Sequence, residues 1–384
     1  MRVVYVDFVG NGGMLHYAES LHTAMASLLN SSLMLPRLQD GPRPSHGSVV
    51  DKVTRKYNPL YYRRIADQLM ATYNPDLVHI TSKSTGLRPF IARLRGQGVP
   101  VIYTLHDPTP HSEHMTLWGA LAEQYYRAYE TPWILRNCDA IHLHSTFQIH
   151  ELQQRYDIHG DMRAYVVSHG GGATEKVLLG SETPHELEIG HGRFSFLFFG
   201  RIEPYKGVTV LLDAFEQLLK IQPDCRLIVA GDGHFDPRPS LPSAAVVVLN
   251  RFIKDSEVRA IFQASQAIVL PYLSATQSGV IPLAYSFSRP VICSNVGGLP
   301  DMVAEGRTGL MVPAGQVGAL AQAMITMARN ESDARTMGER GRSYMHEHFS
   351  WGAIAEQHKV QYAKLVSGRR LQSNQARDIQ AHAG

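Results

Sequence analysis

Arg201 and Lys206 are two cationic side chains that stand five positions apart in the segment FGRIEPYKG. The segment follows a predicted strand at 194–199 and precedes a stretch at 208–221 with helical periodicity. In doubly wound sheets, ligands bind at the carboxyl ends of the strands. An Arg fork and a Lys point charge at such an end can hold one diphosphate. The alternative is a solvated basic pair on a loop, but the flanking glycines and the place after the strand favour binding.

A second polar segment, 276–279, lies between an apolar run and the apolar helical stretch 280–287. Ser278 is a predicted helix N-cap. Main-chain N–H groups at a helix start favour phosphate, so this segment is a predicted anion site. Its candidate ligands are the N–H groups of Thr276, Gln277, Ser278 and Gly279.

Glycine-rich turns follow two further apolar runs. Gly12 and Gly13 belong to GNGG after the first run, and Gly231 belongs to GDG after the run at 226–230. Glycines let a backbone turn tightly and approach a ligand, so these turns are either an anion or sugar cradle or simple strand–helix connections. Leu15 stands where the dinucleotide fingerprint GxGxxG needs its last glycine, which disfavours an NAD enzyme.

His106 stands in the segment LHDP after the apolar run at 100–104, with His111 and His114 close behind. Polar side chains after a buried strand could serve acid–base chemistry or bind sugar hydroxyls. Two prolines between the histidines disfavour a common helical face, and so disfavour a metal site. The alternative for His106 is a structural histidine bonded to a neighbouring loop.

Short apolar runs alternate with helical stretches along the whole chain. Runs rich in Val, Ile and Leu that do not alternate with polar residues are typical of parallel strands covered on both faces. The pattern predicts an α/β fold with two doubly wound domains. The runs are 3–6, 33–35, 76–80, 100–104, 140–144 and 164–167 in the first half, and 194–199, 226–230, 245–249, 267–270, 290–293 and 310–312 in the second.

Composition excludes several classes of protein. The length of 384 residues suggests two domains. A net charge of +3 is too small for a nucleic-acid-binding protein. Cys138, Cys225 and Cys293 form no CxxC pair, so neither a disulfide framework nor a cysteine zinc site is expected. The start does not resemble a signal peptide and no run approaches ~18 apolar residues, so the sequence predicts a cytoplasmic protein.

The predicted domains are residues 1–180 and 190–350. The segment between them is rich in glycine, polar and charged residues, which is typical of a linker. A last helix is predicted from about 351 to 366. The polar end at 367–384 is predicted to be frayed or disordered.

In order and spacing these segments resemble the retaining glycosyltransferases of family four, which have the GT-B fold. The resemblance covers nearly the whole chain, and its second-domain motifs are the specific ones. It implies two Rossmann-like domains facing across a cleft, an acceptor-binding domain at 1–180 and a nucleotide-sugar-binding domain at 190–350, with a C-terminal helix in 351–384 crossing back to the first. The matching segments are NGG (11–13), LHD (105–107), FGRIEPYKG (199–207), VAGDGH (229–234), PYLSATQSGVIPLAYSFSRPVI (271–292), SNVGGLPDMVAEGRTGLMVPAG (294–315) and HFSW (348–351).

The resemblance also implies roles for single residues. Arg201 and Lys206 look like the pair that holds the donor diphosphate and stabilises the charge of the leaving group. Gly12 and Gly13 look like the loop that closes over the donor. His106 looks like the active-site histidine near the transferred sugar.

Further donor contacts follow from the same resemblance. Residues 251–253 fall where the nucleotide base usually rests, and 278–279 fall where the phosphate-binding helix begins. The implied contacts are Gly231, Arg251, Phe252, Ile253, Thr276, Gln277, Ser278 and Gly279.

Two acidic residues of the family's pattern are missing. Members commonly carry Glu, seven residues and Glu, which contact the donor sugar and the ribose, but the corresponding positions here are Ala275 and Leu283. Because the flanking residues are intact, the ATQSG version is interpreted as a subgroup of the family. Asp301, in a Gly-Gly-x-x-acid turn, is a candidate substitute.

The implied activity is retaining transfer of a sugar from a nucleotide-diphosphate sugar, the co-substrate, to a glycan or lipid-linked acceptor, as in cell-surface polysaccharide or glycolipid biosynthesis. No metal and no cofactor are expected, because Arg201 and Lys206 supply the positive charge and the sequence has no DxD segment. The alternatives are a catalytically silent relative that binds nucleotide or a partner protein, and a GT-B sugar-nucleotide epimerase.

A basic region at 52–95 bears on the acceptor. Between Asp51 and Arg95 the sequence has nine basic and three acidic side chains, with four tyrosines among them. Such a face could meet anionic lipid head groups or a lipid-diphosphate acceptor, which implies peripheral contact with the inner face of the membrane. The alternative is a solvated face near the edge of the first domain.

Overall fold

The structure, a computed structural model, describes residues 1–9, 12–36, 58–84, 86–106, 124–156, 163–188, 193–235 and 240–382. The chain divides into two compact units, Met1–Gly170 with Trp351–Gly384, and Gly171–Ser350. Each unit contains a six-stranded sheet whose neighbouring strands are parallel. This confirms the predicted α/β fold with two Rossmann-like domains.

Five strands of the first unit lie close to their predicted apolar runs, whereas β2 begins at Asn30, three residues before the run at 33–35, and starts with polar residues. Every residue of the central strands β3, β4 and β5 is buried, as expected when helices cover both faces of a sheet. The strands are β1 (Arg2–Val6), β2 (Asn30–Met34), β3 (Leu77–Ile80), β4 (Val101–Thr104), β5 (Ala140–Leu143) and β6 (Ala164–Val166), in the order β2-β1-β3-β4-β5-β6.

Helices connect these strands. They are α1 (Gly12–Ala26), α2 (Pro59–Tyr73), α3 (Leu87–Gly96), α4 (Thr131–Asn137) and α5 (Thr146–Tyr156), with a π-helical turn at Tyr126–Glu130 before α4. The start of α2 is set by Asn58, whose side chain accepts the N–H of Leu60, and by a proline at the first helical position, where no N–H is needed.

The second unit repeats the architecture. Its strands are β7 (Ser195–Phe199), β8 (Arg226–Ala230), β9 (Val246–Leu249), β10 (Ala267–Leu270), β11 (Val291–Ser294) and β12 (Gly309–Val312), in the order β12-β11-β10-β7-β8-β9. Its helices are α6 (Glu175–Leu178), α7 (Val208–Leu219), α8 (Asp255–Gln263), α9 (Val280–Ser286), α10 (Val317–Arg329) and α11 (Glu331–His348). Helix α7 buries the apolar stripe that its periodicity predicts, Leu211, Leu212, Phe215 and Leu218.

The last helix, α12 (Trp351–His382), belongs to the first unit. Ile354, Ala355 and Tyr362 are buried there in one core with Tyr17 and Leu21 of α1. The helix continues past 366, where the sequence predicts a frayed end, because the following residues include good helix formers and no proline. The first unit also ends at 170, ten residues before the predicted boundary.

Buried hydrogen bonds tie α12 to the first sheet. The Tyr362 hydroxyl lies 2.6 Å from His79 Nδ1 on β3 and 3.2 Å from the Tyr5 hydroxyl on β1. The other ring nitrogen of His79 lies 2.7 Å from Thr104 Oγ1 at the end of β4. Because all four residues are buried, breaking one of these bonds would leave a polar group without water.

The donors and acceptors of these hydrogen bonds follow from one bond that His142 makes to a carbonyl oxygen. His142 Nε2 lies 2.9 Å from the carbonyl oxygen of Val167, which can only accept, so this nitrogen carries the ring proton. His142 Nδ1 then accepts from Thr104 Oγ1 at 3.0 Å. Consequently His79 Nε2 donates to Thr104, and His79 Nδ1 accepts from Tyr362. While the rings of His79 and His142 are neutral, every hydrogen bond from α12 to β5 therefore has one donor and one acceptor.

The surroundings keep these rings neutral. Burial lowers the pKa of His79 well below its usual range and that of His142 to about 3, with neighbouring histidines adding repulsion. The same two causes lower the pKa of His144 and of His358, which lies on α12. Each group therefore resists protonation only while the first unit stays folded.

We expect the first unit to lose stability as pH falls below 6.5. Unfolded histidines bind protons from about pH 6.5 downward, whereas these folded rings do not, so each costs about 1.4 kcal/mol per pH unit in that range. Denaturant unfolding at pH 7.5 to 5 can be followed by tryptophan fluorescence, because Trp133 and Trp351 belong to this unit. His358→Gln should reduce the slope by about one proton. The exposed control His150→Gln should not, and equal slopes for native and His358→Gln would contradict the account.

Candidate functional site

The loop after β7 carries the two predicted cations of the second unit. The N–H of Gly200 donates to the carbonyl oxygen of Ala230 at 2.9 Å, and the N–H of Ile202 donates to the main-chain carbonyl oxygen of Asp232 at 2.8 Å. These two hydrogen bonds hold the loop against the turn that follows β8. A single 3-10 turn, Pro204–Lys206, then leads into α7. The five-residue spacing of the cations therefore spans one tight turn at the carboxyl end of the strand.

Arg201 and Lys206 come together in this loop. Burial lowers the pKa of Lys206, and the charge of Arg201 lowers it further, while Glu203 opposes both effects. Arg201 is 74% exposed and donates a hydrogen bond to the Glu203 carboxylate. Two cations that repel each other, one of them partly desolvated, favour a bound anion. Glu203 was not predicted, and its only sequence signal is its place between the two cations.

Backbone contacts hold this loop against the segment that follows β10. Gly207 has a φ of 66°, and a Cβ there would lie 2.0 Å from the carbonyl oxygen of Pro271, so only glycine fits. The N–H of Leu273 donates to the carbonyl oxygen of Tyr205 at 2.7 Å. The predicted phosphate-binding residues 276–279 continue from this contact.

Tyr272 lies between the two predicted donor elements. Lys206 Nζ stands 5.4 Å from the centroid of its ring. Burial raises the pKa of Tyr272 well above its usual range, so the phenol is neutral. Sequence reasoning missed this residue, because nothing in the pattern PYLSATQSG says that its ring faces position 206.

Ser278 makes the hydrogen bond predicted for the start of α9, because its Oγ accepts the N–H of Val280 at 3.3 Å. Gly279, between them, already has helical backbone angles, with φ −66° and ψ −11°. Thr276 and Ser278 are buried. Gln277 Oε1 is buried and has no hydrogen-bond partner among the residues that the structure describes.

The positions of the family's missing acids are apolar and packed. Ala275 is buried, and its carbonyl oxygen lies 1.4 Å from where a Cβ on Gly297 would be, so the two backbones are in direct contact. Leu283 packs against the core of the second unit. Neither position can supply a carboxylate to a ligand.

Arg251 is engaged by carboxylates of its own unit. Its guanidinium donates to both oxygens of Glu257 at 2.8 and 2.6 Å, and Glu186 lies 3.8 Å away. Arg251 lowers the pKa of Glu257, chiefly through these hydrogen bonds. The pair fixes the turn that carries Phe252, which is 78% exposed, and Ile253, which packs against the core. The predicted base contact stays a prediction.

The other predicted donor contacts lie at loops and helix starts. Gly231 follows β8, and its N–H donates to the carbonyl oxygen of Leu249 at 3.0 Å. Asp301 is exposed on the turn at 300–302 and raises the pKa of Tyr344, although burial is the larger cause of that rise. In the first unit, Gly12 and Gly13 begin α1.

His106 follows β4 in the first unit. Its Nε2 lies 2.8 Å from the carbonyl oxygen of Thr81 and must donate to it, so a neutral ring accepts at Nδ1 from His144 Nε2 at 2.9 Å. Both ring nitrogens therefore have partners inside the unit, which fits the structural alternative. Its role near the transferred sugar stays a prediction. His111 and His114 lie outside the described residues.

The described residues offer neither a cluster of metal-ligating side chains nor a membrane-spanning helix. No group of three His, Cys, Asp or Glu side chains in these ranges is arranged to hold a metal ion. Within the same ranges, no helix combines the length and the apolar character needed to cross a membrane.

Two family models match the chain. The model for glycosyltransferase family 4 matches residues 12–170, and the model for glycosyl transferases group 1 matches residues 193–330. The first match falls in the first unit and the second in the other unit, so each sheet is matched separately.

Curated relatives and solved structures agree with these matches. The D-inositol 3-phosphate glycosyltransferase of Corynebacterium glutamicum is 26% identical over 300 residues, which is 71% of this chain and 68% of the relative. The alpha-maltose-1-phosphate synthase of Mycolicibacterium smegmatis is 28% identical over 321 residues, 75% of this chain and 79% of the relative. Anabaena HepE in complex with UDP has a TM-score of 0.67 at 16% identity, covering 95% of this chain and 100% of that one.

Proposed function

We propose that this chain, which belongs to the glycosyltransferases with the GT-B fold, transfers a sugar from a nucleotide-diphosphate sugar with retention of anomeric configuration. The acceptor is a glycan or a lipid-linked glycan of cell-surface polysaccharide or glycolipid biosynthesis. The reaction needs neither a metal nor a cofactor, and the nucleotide sugar is the co-substrate. The protein works in the cytoplasm, with peripheral contact at the inner face of the membrane.

One observation carries this proposal. Arg201 and Lys206 share one loop at the carboxyl end of β7, and Lys206 is partly desolvated beside another cation. A diphosphate would relieve that repulsion and receive a fork and a point charge together. A relative of the same fold, Anabaena HepE, has been solved with UDP, which supports a nucleoside diphosphate as the bound anion.

In the proposed reaction the bond between the anomeric carbon and the diphosphate oxygen breaks. The acceptor oxygen forms the new bond on the same face of the sugar, and its proton passes to the departing phosphate. The electron pair of the broken bond leaves on the diphosphate, whose growing negative charge Arg201 and Lys206 stabilise. No carboxylate nucleophile and no metal take part.

Recognition of sugar and ribose must differ from the family's usual form, since Ala275 and Leu283 replace its acids. Gln277 is a candidate to replace these acids. Its buried Oε1 has no hydrogen-bond partner among the described residues, so it can accept a hydrogen bond from a hydroxyl of the ligand. The missing acids also motivate a second candidate, a catalytically silent relative. Such a protein would bind nucleotide but produce neither glycoside nor free sugar. An epimerase would release sugar and nucleotide without an acceptor.

We expect Arg201→Ala to lower turnover at least a hundredfold. One contact to charge that develops in the transition state is worth about 2.7–4 kcal/mol. The matched control is Arg335→Ala, because both arginines belong to the second unit, are 74% exposed and pair with a nearby glutamate. Initial rates of nucleotide release test both variants. If Arg201→Ala lowers turnover tenfold or less, Arg201 does not stabilise the charge of the leaving diphosphate.

The described part of the basic region 52–95 supports the membrane contact. Arg63, Arg64 and Lys83 are exposed there, and Leu60 at the start of α2 is 69% exposed. A hydrogen bond of 2.6 Å between the Tyr62 and Ser84 hydroxyls joins α2 to the loop after β3. Lys83 in turn lies 5.5 Å from the Tyr126 ring, next to exposed Tyr125 and Tyr129. Basic and amphipathic aromatic side chains together are typical of a lipid-contacting face.

We expect this face to bind anionic vesicles. The double variant Arg63→Glu/Arg64→Glu should weaken co-sedimentation with phosphatidylglycerol vesicles at least about thirtyfold, since each basic residue lost near the surface costs about 1 kcal/mol and each new carboxylate adds repulsion. Arg340→Glu/Arg342→Glu makes the same charge change on exposed residues of the second unit and should leave binding unchanged. Equal losses in both double variants, or no binding by the native protein, would contradict the membrane contact.

A further inference from the structure

We propose that the first unit binds a neutral sugar ring of the acceptor beside the π-helical turn Tyr126–Glu130. Tyr125 and Tyr129 supply the surface on which the ring stacks, and Glu130 Oε2 accepts one of its hydroxyls. The inference rests on the proposed function, because it names the residues and the ligand chemistry of the acceptor in that reaction. The sequence pattern did not predict any of the three residues.

The turn lies at the carboxyl edge of the first sheet. The Tyr126 hydroxyl is hydrogen-bonded to the hydroxyl of Tyr103, which is the third of the four residues of β4. Arg88, in the first turn of α3, donates to the carbonyl oxygen of Tyr129 in the same turn. Ligands of doubly wound sheets bind at this edge, and π-helical turns occur frequently at functional sites.

Glu130 is a buried carboxyl group with one oxygen occupied. The residue is only 2% exposed. Its Oε1 lies 3.2 Å from Arg88 Nε and accepts the hydrogen of the Tyr125 hydroxyl at 3.4 Å. Its Oε2 is buried and has no hydrogen-bond partner among the residues that the structure describes. A buried polar atom without a partner costs free energy, so a ligand that pairs with Oε2 is favoured.

The charges around Oε2 restrict the ligand chemistry. Burial raises the pKa of Glu130, but Arg88 and the Tyr125 hydroxyl oppose that rise. The ion pair with Arg88 favours the carboxylate, whose oxygens only accept hydrogen bonds. Because Arg88 balances the charge of Glu130, neither an anion nor a second cation is needed there. The site therefore favours a neutral ligand with a hydrogen-bond donor.

Tyr125 and Tyr129 supply an exposed aromatic surface beside the carboxylate. They are 43% and 61% exposed, and their ring centroids lie 5.5 Å apart. The Tyr125 hydroxyl contacts Glu130 itself, so the rings and the carboxylate form one site. An O–H···O distance of 3.4 Å is long, so a ligand hydroxyl can displace this contact and reach the carboxylate. A sugar ring offers both an apolar face of C–H groups and hydroxyls at its rim, which matches this pair of features.

The test is the affinity for the methyl glycosides of glucose, galactose, mannose and N-acetylglucosamine, measured at pH 8 by saturation-transfer NMR titration. We expect at least one of them to bind the native protein. Glu130→Gln should weaken that binding at least about tenfold, because Arg88 retains the amide oxygen and the remaining amide nitrogen cannot accept a hydroxyl. Tyr129→Ala should weaken it about fivefold, whereas Tyr129→Phe keeps the ring and should retain native affinity.

Two controls separate the site from folding. Asp139 is a buried acid of the same unit whose carboxylate lies 3.5 Å from Arg95 Nε. Asp139→Asn should therefore lower the melting temperature, as Glu130→Gln does, but leave glycoside affinity unchanged. Phe147→Ala removes a ring of the same unit that is 42% exposed and should also leave affinity unchanged.

The failure of this site can be distinguished from failure of the proposed function. Native glycoside affinity in Glu130→Gln or Tyr129→Ala would overturn the site alone, as would a native protein that binds a nucleotide but no glycoside. Loss of binding to anionic vesicles in Tyr129→Ala with native glycoside affinity would assign the rings to the membrane-contacting face instead. A native protein that binds a glycoside but none of UDP, GDP, ADP and dTDP would support the sugar site and overturn the proposed transfer.

Discussion

The contact between Gly207 and the carbonyl oxygen of Pro271 is the constraint on which the candidate donor site depends. It forces a left-handed glycine at the start of α7 and presses two loops of the second sheet together. Lys206 precedes the contact and Tyr272 follows it, so the cation and the ring meet without long side chains reaching across solvent. A side chain at position 207 would separate the loops and with them the two groups of anion ligands.

The first unit relies on a different device. Its last helix is attached by a directed set of hydrogen bonds through neutral histidines, and these bonds keep their polarity only while the rings stay unprotonated. His106 belongs to the same buried group through His144. The second unit instead keeps two cations close together at a strand end. Acid should therefore affect the first unit through its stability, whereas anions should affect the second through binding.

Much of this could be predicted from the sequence. Non-alternating apolar runs predict the twelve strands of the described residues, although β2 starts three residues before its run, and the rule that ligands bind at strand ends selects Arg201 and Lys206 as candidates. Pairwise contacts between distant positions could not be predicted. Glu257 bonded to Arg251, and Tyr272 beneath Lys206, depend on how loops from different strands pack. By contrast, the hydrogen bond from the Val280 N–H to Ser278 Oγ at the start of α9 could be predicted locally, because a serine just before an apolar helical stretch is a typical N-cap.

We propose that the carboxyl edge of the second sheet binds the nucleoside diphosphate of a sugar donor. The most direct measurement is the melting temperature of the native protein with UDP, GDP, ADP and dTDP and their common sugar conjugates, with and without magnesium. A ligand at 100 times its dissociation constant adds about 2.7 kcal/mol to stability. We expect the melting temperature to rise selectively with one nucleotide, and to rise without magnesium. No rise with any of them would contradict it.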